Sequence, residues 1–389
     1  MINYVFLALL IIMLFRSKNS ITSLIVFLVV MHFVEVVFVE LLFGKKFSEK
    51  AGLFDTLDII GNCLFIFAAT FYSINGKFAD HLDYSCKILS FKPIDLVSFT
   101  FISGFVFYVF YNSVVTNSLD YHKIVENNSP IDEYILTIII IILYCSKSRL
   151  LVLLPFTLIA LVYMYTGQRL RFLLMSYVLY MLFKDYFRYT LPFKLMLFIA
   201  LFLSIFLDFY RSQGLSMNSQ AIHMSHFGEL TVTSMYLIDF VNNFDSSEKF
   251  TAGVGLFLGN LLPSSLLPDG YDLKRIVSIA VDVPGGGWLP VWFYSLIGYP
   301  GVFFIAIMMS SIARFLHSFL GVVRLKNSIR DLSNICLIIF NSYAVIWFMY
   351  SPYVIIKFIV YSILFYFLYR SLIPLRVVTQ MQYPSFKLV

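Results

Sequence analysis

From Ile21 to Phe43 the chain reads ITSLIVFLVVMHFVEVVFVELLF. Apolar side chains fill every angle of a helical wheel drawn through this run, and nothing in it alternates as a strand facing lipid on one side would. A hydrocarbon core about 30 Å thick takes roughly twenty helical residues to cross, so this one run is long enough. Similar runs fall near 2–15, 54–74, 94–115, 132–146, 150–166, 171–183, 193–209, 289–313, 332–350 and 353–369. Backbone polar groups in lipid must be satisfied within the chain, which leaves helices or closed barrels. The sequence therefore predicts an all-α polytopic membrane protein of about eleven spans.

Composition agrees. The 389 residues are 60% hydrophobic, 19% aromatic and only 13% charged. The formal charge of +6 reports topology in such a protein, and no basic patch interleaved with aromatics points to nucleic acid. Cys63, Cys86, Cys145 and Cys336 lie in spans or in a loop assigned to the cytoplasm, so no disulfide framework is expected. The first run has no basic region ahead of it and no small-residue cleavage site, and Arg16 and Lys18 follow it. It reads as a retained span.

Basic connections place 75–93 (Lys77, Lys87, Lys92), 147–149 and 314–331 (Arg314, Arg324, Lys326, Arg330) on the cytoplasmic side. Lys45, Lys46 and Lys50 run against that assignment. The N-terminus and the long segment 210–288 then fall outside, and the C-terminus inside. Three regions follow: a bundle over 1–209, the outer loop over 210–288, and C-terminal spans over 289–389.

The outer loop gathers most of the chemistry-bearing residues. Ser219 to Asn243 reads as a helix with His223, His226, Glu229 and Thr233 in one arc. Either histidine or Glu229 can serve acid–base work near neutral pH; a plain polar helix face is the other reading. The set lacks the HExxH spacing and a third strong ligand, so no metal is expected. Phe250 to Leu262 is apolar but too short to span, and reads as re-entrant or interfacial. Asp269, Tyr271, Lys274 and Arg275 follow, then Pro284-Gly285-Gly286-Gly287-Trp288. Three glycines before a helix either admit a phosphate or sugar to backbone N–H groups or form a hinge. Arg169 and Arg171, at the outer junction of two spans, and Arg211, at the mouth of the loop, are either snorkelling cations or a bidentate clamp for diphosphate. Glu35, Glu40, Asp55 and Asp58 imply a polar cavity or a cap in the bundle.

In order, Gly167-x-Arg169, Tyr210-Arg211, Phe250-Thr-Ala-Gly253, Asn260-Leu-Leu-Pro263, Pro284-Gly-Gly-Gly287-Trp288 and Gly298-Tyr-Pro-Gly301 resemble the Wzy-type polymerases of O-antigen and related oligosaccharide repeat units. The resemblance covers roughly 160–315, and the earlier spans share only hydropathy. Where the family continues its glycine segment with a further Gly and a Glu, this chain has Leu289-Pro290-Val291-Trp292-Phe293-Tyr294. The resemblance implies a metal-independent glycosyltransferase of GT-C-like architecture in a bacterial cytoplasmic membrane. It would transfer a growing glycan from undecaprenyl diphosphate to the next lipid-linked repeat unit at the periplasmic face, with membrane lipids around it and a chain-length regulator protein as a further partner. In that frame Arg169, Arg171, Arg211, Lys274 and Arg275 would hold diphosphate, and His223, His226 or Glu229 would take the acceptor proton. Asp269, Tyr271, Gly286 and Trp288 would contact sugar, and an apolar groove beside 250–262 would take the lipid tail. An O-antigen ligase and a polytopic transporter or flippase are the competing expectations.

Overall fold

The computed structural model describes residues 2–43, 54–78, 93–112, 131–145, 149–165, 171–172, 174–178, 226–259, 262, 268, 271, 287–320, 327–349, 354 and 356–372. Among them every long regular element is a helix. In chain order these are α1 (Ile2–Arg16), α2 (Ser20–Phe43), α3 (Phe54–Asn75), α4 (Pro93–Tyr111), α5 (Ile131–Cys145) and α6 (Arg149–Tyr165). Then come α7 (His226–Asn242), α8 (Ser246–Leu258), α9 (Leu289–Ile297), α10 (Tyr299–Leu320), α11 (Asn327–Ser342), α12 (Ala344–Met349) and α13 (Lys357–Leu372).

Local chemistry sets several of these boundaries. Asn19 caps α2 by accepting from the Thr22 N–H at 3.1 Å. Asp245 starts α8 with a capping box: its Oδ1 accepts from the Ser247 and Glu248 N–H groups, each at 2.8 Å, while Glu248 accepts from the Asp245 N–H at 2.9 Å. This cap lies upstream of the apolar run, so the helix begins four residues before the predicted start at Phe250. The predicted helix over 219–243 is described from His226 onward. The predicted single span 289–313 is two helices. Gly298 stops α9 with φ +73, a left-handed conformation that only glycine adopts at little cost, and α10 begins at the next residue. Span 332–350 begins earlier, at Asn327, and runs almost unbroken to Met349: Tyr343 and Trp347 donate back to Ile339 and Tyr343 across the junction of α11 and α12.

Among the described residues, two segments, Thr56–Asn75 in α3 and Tyr299–Ser318 in α10, are long and apolar enough to cross a membrane. These two helices pack on each other, and α1, α2, α7 and α9 also pack on α3. A second group joins α5, α11 and α13, and a third pairs α4 with α6. The core is crowded with large aromatic side chains such as Phe67, Trp292, Phe340 and Trp347. The outside carries large apolar side chains too: Phe107, Leu154, Phe315 and Leu368 all stand exposed.

One end of this bundle is basic. Lys18 donates its backbone N–H to the Gly76 carbonyl at 2.8 Å, and Asn19 pairs with His317 at 3.2 Å. The Arg314 guanidinium lies 4.8 Å from the Phe78 ring centre. The ends of α1, α3 and α10 therefore share one face, and Arg16, Lys18, Lys77 and Arg314 belong to it. At about 1.5 Å per residue, α10 carries the chain roughly 33 Å from this end to the turn at Gly298.

Candidate functional site

Where α7 crosses α2 and meets the start of α9, polar groups collect inside the bundle. Trp288 donates its backbone N–H to Ser234 Oγ on α7 at 3.2 Å. Gly287 donates to the Met349 carbonyl at the end of α12, 3.0 Å away, and its own carbonyl accepts from Trp292 Nε1 at 3.2 Å. His32 of α2 is buried, its Nδ1 hydrogen-bonded to Thr231 Oγ1 at 3.2 Å and its ring edge-on to Trp288 at 5.6 Å. Thr233 of α7 is buried too. This junction sits deep: twelve residues along α2 from Ser20 place His32 about 18 Å from the basic end, near the middle of the bundle.

The junction changes the meaning of two sequence features. The helix assigned to an outer loop, α7, is packed on α2, α3 and α9, with Leu230, Thr231, Thr233, Ser234, Leu237 and Val241 all buried. His226 and Glu229 stand in its first turn. In the glycine-rich segment, Gly287 has a packing role. A Cβ there would stand 2.9 Å from Trp292 Nε1 and 3.4 Å from its Cε2, and its N–H is already given to Met349.

The other expected site residues fall in different surroundings. Trp288 is fully buried, packed edge-on against His32 and Phe348, so its ring has no surface to offer a sugar and helps close the core. Arg171 is only 8% exposed, with its guanidinium 5.5 Å from the centre of the buried Tyr163 ring; the charge is held within the protein, not extended to headgroups. Tyr271 is half-buried and donates its N–H to the Pro268 carbonyl at 3.1 Å. Its own carbonyl lies against Gly255 of α8, where a Cβ would come within 1.8 Å. Tyr271 thus packs its backbone directly on that helix. Arg169, Arg211, His223, Asp269, Lys274, Arg275 and Gly286 lie outside the described residues.

Toward the end of the bundle opposite the basic face, α8, α9 and the start of α10 enclose a groove of about 420 Å³. Phe250, Val254 and Phe257 form one wall, Phe293, Leu296 and Ile297 the other, with Phe304 beside them and Gly253 leaving the floor open. Lys249 and Ser246 are its polar members. The groove lies beside the 250–262 segment, where an apolar groove was expected.

His32, Thr231 and Lys249 were missed as site residues. A lone histidine in an apolar run is a usable signal, because a titratable group at membrane depth is costly without a purpose; the partner on a helix two hundred residues away is not visible in sequence. No protein family, curated protein or solved structure matches the chain.

Proposed function

We propose that this chain is a multi-span glycosyltransferase of the bacterial cytoplasmic membrane, polymerising undecaprenyl-diphosphate-linked oligosaccharide repeat units at the periplasmic face. The observation that carries this reading is the burial of α7, whose inner face brings the Thr231 hydroxyl to His32 and whose first turn holds His226 and Glu229, inside a bundle with one basic end. A basic end reads as cytoplasmic, which supports an orientation with α8 and the groove outside. About eleven spans and a GT-C-like architecture complete the proposal.

In the proposed reaction an acceptor hydroxyl oxygen attacks the anomeric carbon of the growing glycan. The anomeric C–O bond to diphosphate breaks, undecaprenyl diphosphate leaves with the electron pair, and the hydroxyl proton passes to a base. His226, His223 or Glu229 is that base. The leaving diphosphate needs fixed cations, the role of Arg169, Arg171, Arg211, Lys274 and Arg275, while Asp269 and Tyr271 contact sugar.

Deleting the gene and reading the surface-polysaccharide ladder on a gel tests this. Collapse to core plus a single repeat unit, restored by a plasmid copy, supports polymerisation. Loss of polymer from the core with lipid-linked polymer accumulating would point to a ligase. Two observations favour a second reading as a transporter or flippase: polar groups at mid-depth and the break at Gly298 are features of such proteins. Loss of even the single-repeat band would support it, and an unchanged ladder would overturn the polymerase reading.

A further inference from the structure

We infer that the groove between α8, α9 and α10 binds one acyl chain of an anionic phospholipid, with Lys249 holding the phosphate. The inference rests on the membrane location proposed above, and its readout does not depend on the polymerase reaction. Three observations carry it.

The first is shape. At about 30 Å³ for a group the size of a water molecule, 420 Å³ takes a stretch of roughly fourteen chain carbons, the rest of the chain lying in the surrounding lipid. The second is lining. Phe250 is 74% exposed and Ile297 63%, so large apolar side chains stand at the rim and open the groove sideways, which suits an occupant that enters from surrounding lipid. The third is charge. Lys249 lines the groove and makes no ion pair among the described residues. The neighbouring carboxylates are engaged elsewhere: Asp245 and Glu248 bind each other's backbone in the capping box. That arrangement ties both acids to the helix end, and among the described residues Lys249 is the charged side chain that lines the groove. Ser246 adds a hydroxyl.

The test uses the full chain, purified in a neutral detergent, with dioleoyl phosphatidylglycerol and dioleoyl phosphatidylcholine as probes. Native mass spectrometry and thermal unfolding read binding. Phosphatidylglycerol should be retained and should raise Tm more than phosphatidylcholine does. Lys249→Glu should weaken its binding by about fivefold or more, on the scale of one lysine's attraction to an anionic surface. Gly253→Leu, which grows a side chain into the floor, should weaken both lipids, and Glu248→Gln should change neither. Equal binding of the two lipids, or an unaffected Lys249→Glu protein, overturns the proposal. So does displacement of phosphatidylglycerol by undecaprenyl phosphate at lower concentration, which would make the groove a carrier-lipid site. Should Gly253→Leu fail to fold, the Lys249 variant still decides. The polysaccharide ladder of a Lys249→Glu strain is read separately, so failure of lipid binding and failure of the polymerase reading are distinguishable.

Discussion

Gly287 shows how one missing methyl group holds a junction together. The nearest atom to an added Cβ is Trp292 Nε1, at 2.9 Å, in a buried indole whose N–H is bonded to the Gly287 carbonyl. Gly287→Ala must push the indole away and stretch that bond, and overpacking of this kind costs about 1–3 kcal/mol. A lower Tm in detergent than wild type is the expected result, and an unchanged Tm would show that the indole can move freely. Arg171 poses a chemical question instead. Its guanidinium is nearly buried against Tyr163, so Arg171→Lys should keep the charge but lose the planar stacking surface. The expected outcome is folded protein with a shortened polysaccharide ladder, scored beside a membrane-expression blot. Full-length polymer would remove Arg171 from the diphosphate-binding set.

Helix ends carry the next set of effects. Removing the α8 capping box with Asp245→Ala should cost about 1 kcal/mol, the usual value of an N-cap side chain. Hydrogen exchange should then rise first in the initial turn of α8, with little change in α3 or α10. The break between α9 and α10 depends on Gly298 at φ +73 and on Gly301, where a Cβ would come within 2.3 Å of the Phe293 carbonyl. Gly298→Ala should destabilise by about 1–3 kcal/mol through backbone strain alone, since φ +73 with ψ −157 is a region essentially only glycine occupies. Gly301→Ala should be worse, because backbone has to move. Hydropathy averaged both positions into one long apolar run; the turn signal lay in Gly-Tyr-Pro-Gly, and its force depends on what packs against the glycines.

For the whole molecule, the basic end is the main constraint. Arg16, Lys18, Lys77 and Arg314 share one face through contacts among α1, α3 and α10. Single cysteines at Lys77 and at Ser246, in a background lacking the native cysteines, should behave oppositely toward a membrane-impermeant maleimide in intact spheroplasts. Ser246→Cys should label from outside, and Lys77→Cys only after the membrane is opened. Labelling of both from outside would reverse the proposed orientation.

Helical class and apolar character were legible in the chain because hydrophobicity and helix periodicity are local: α2 to α6 lie within a residue or two of their expected starts. The break at Gly298 was not legible, because the Gly-Tyr-Pro-Gly stretch reads as part of one apolar span. What only the tertiary structure decided was which face of each element is inside. The polar stripe of α7 is legible in the sequence, but its burial is not, since its hydroxyls find partners across the chain: Thr231 with His32, and Ser234 with the Trp288 backbone. For the same reason Trp288 is a core residue and not a sugar platform, and Lys249 borders a groove made by three helices. Burial and pairing are properties of distances between remote residues, and a linear pattern does not contain them.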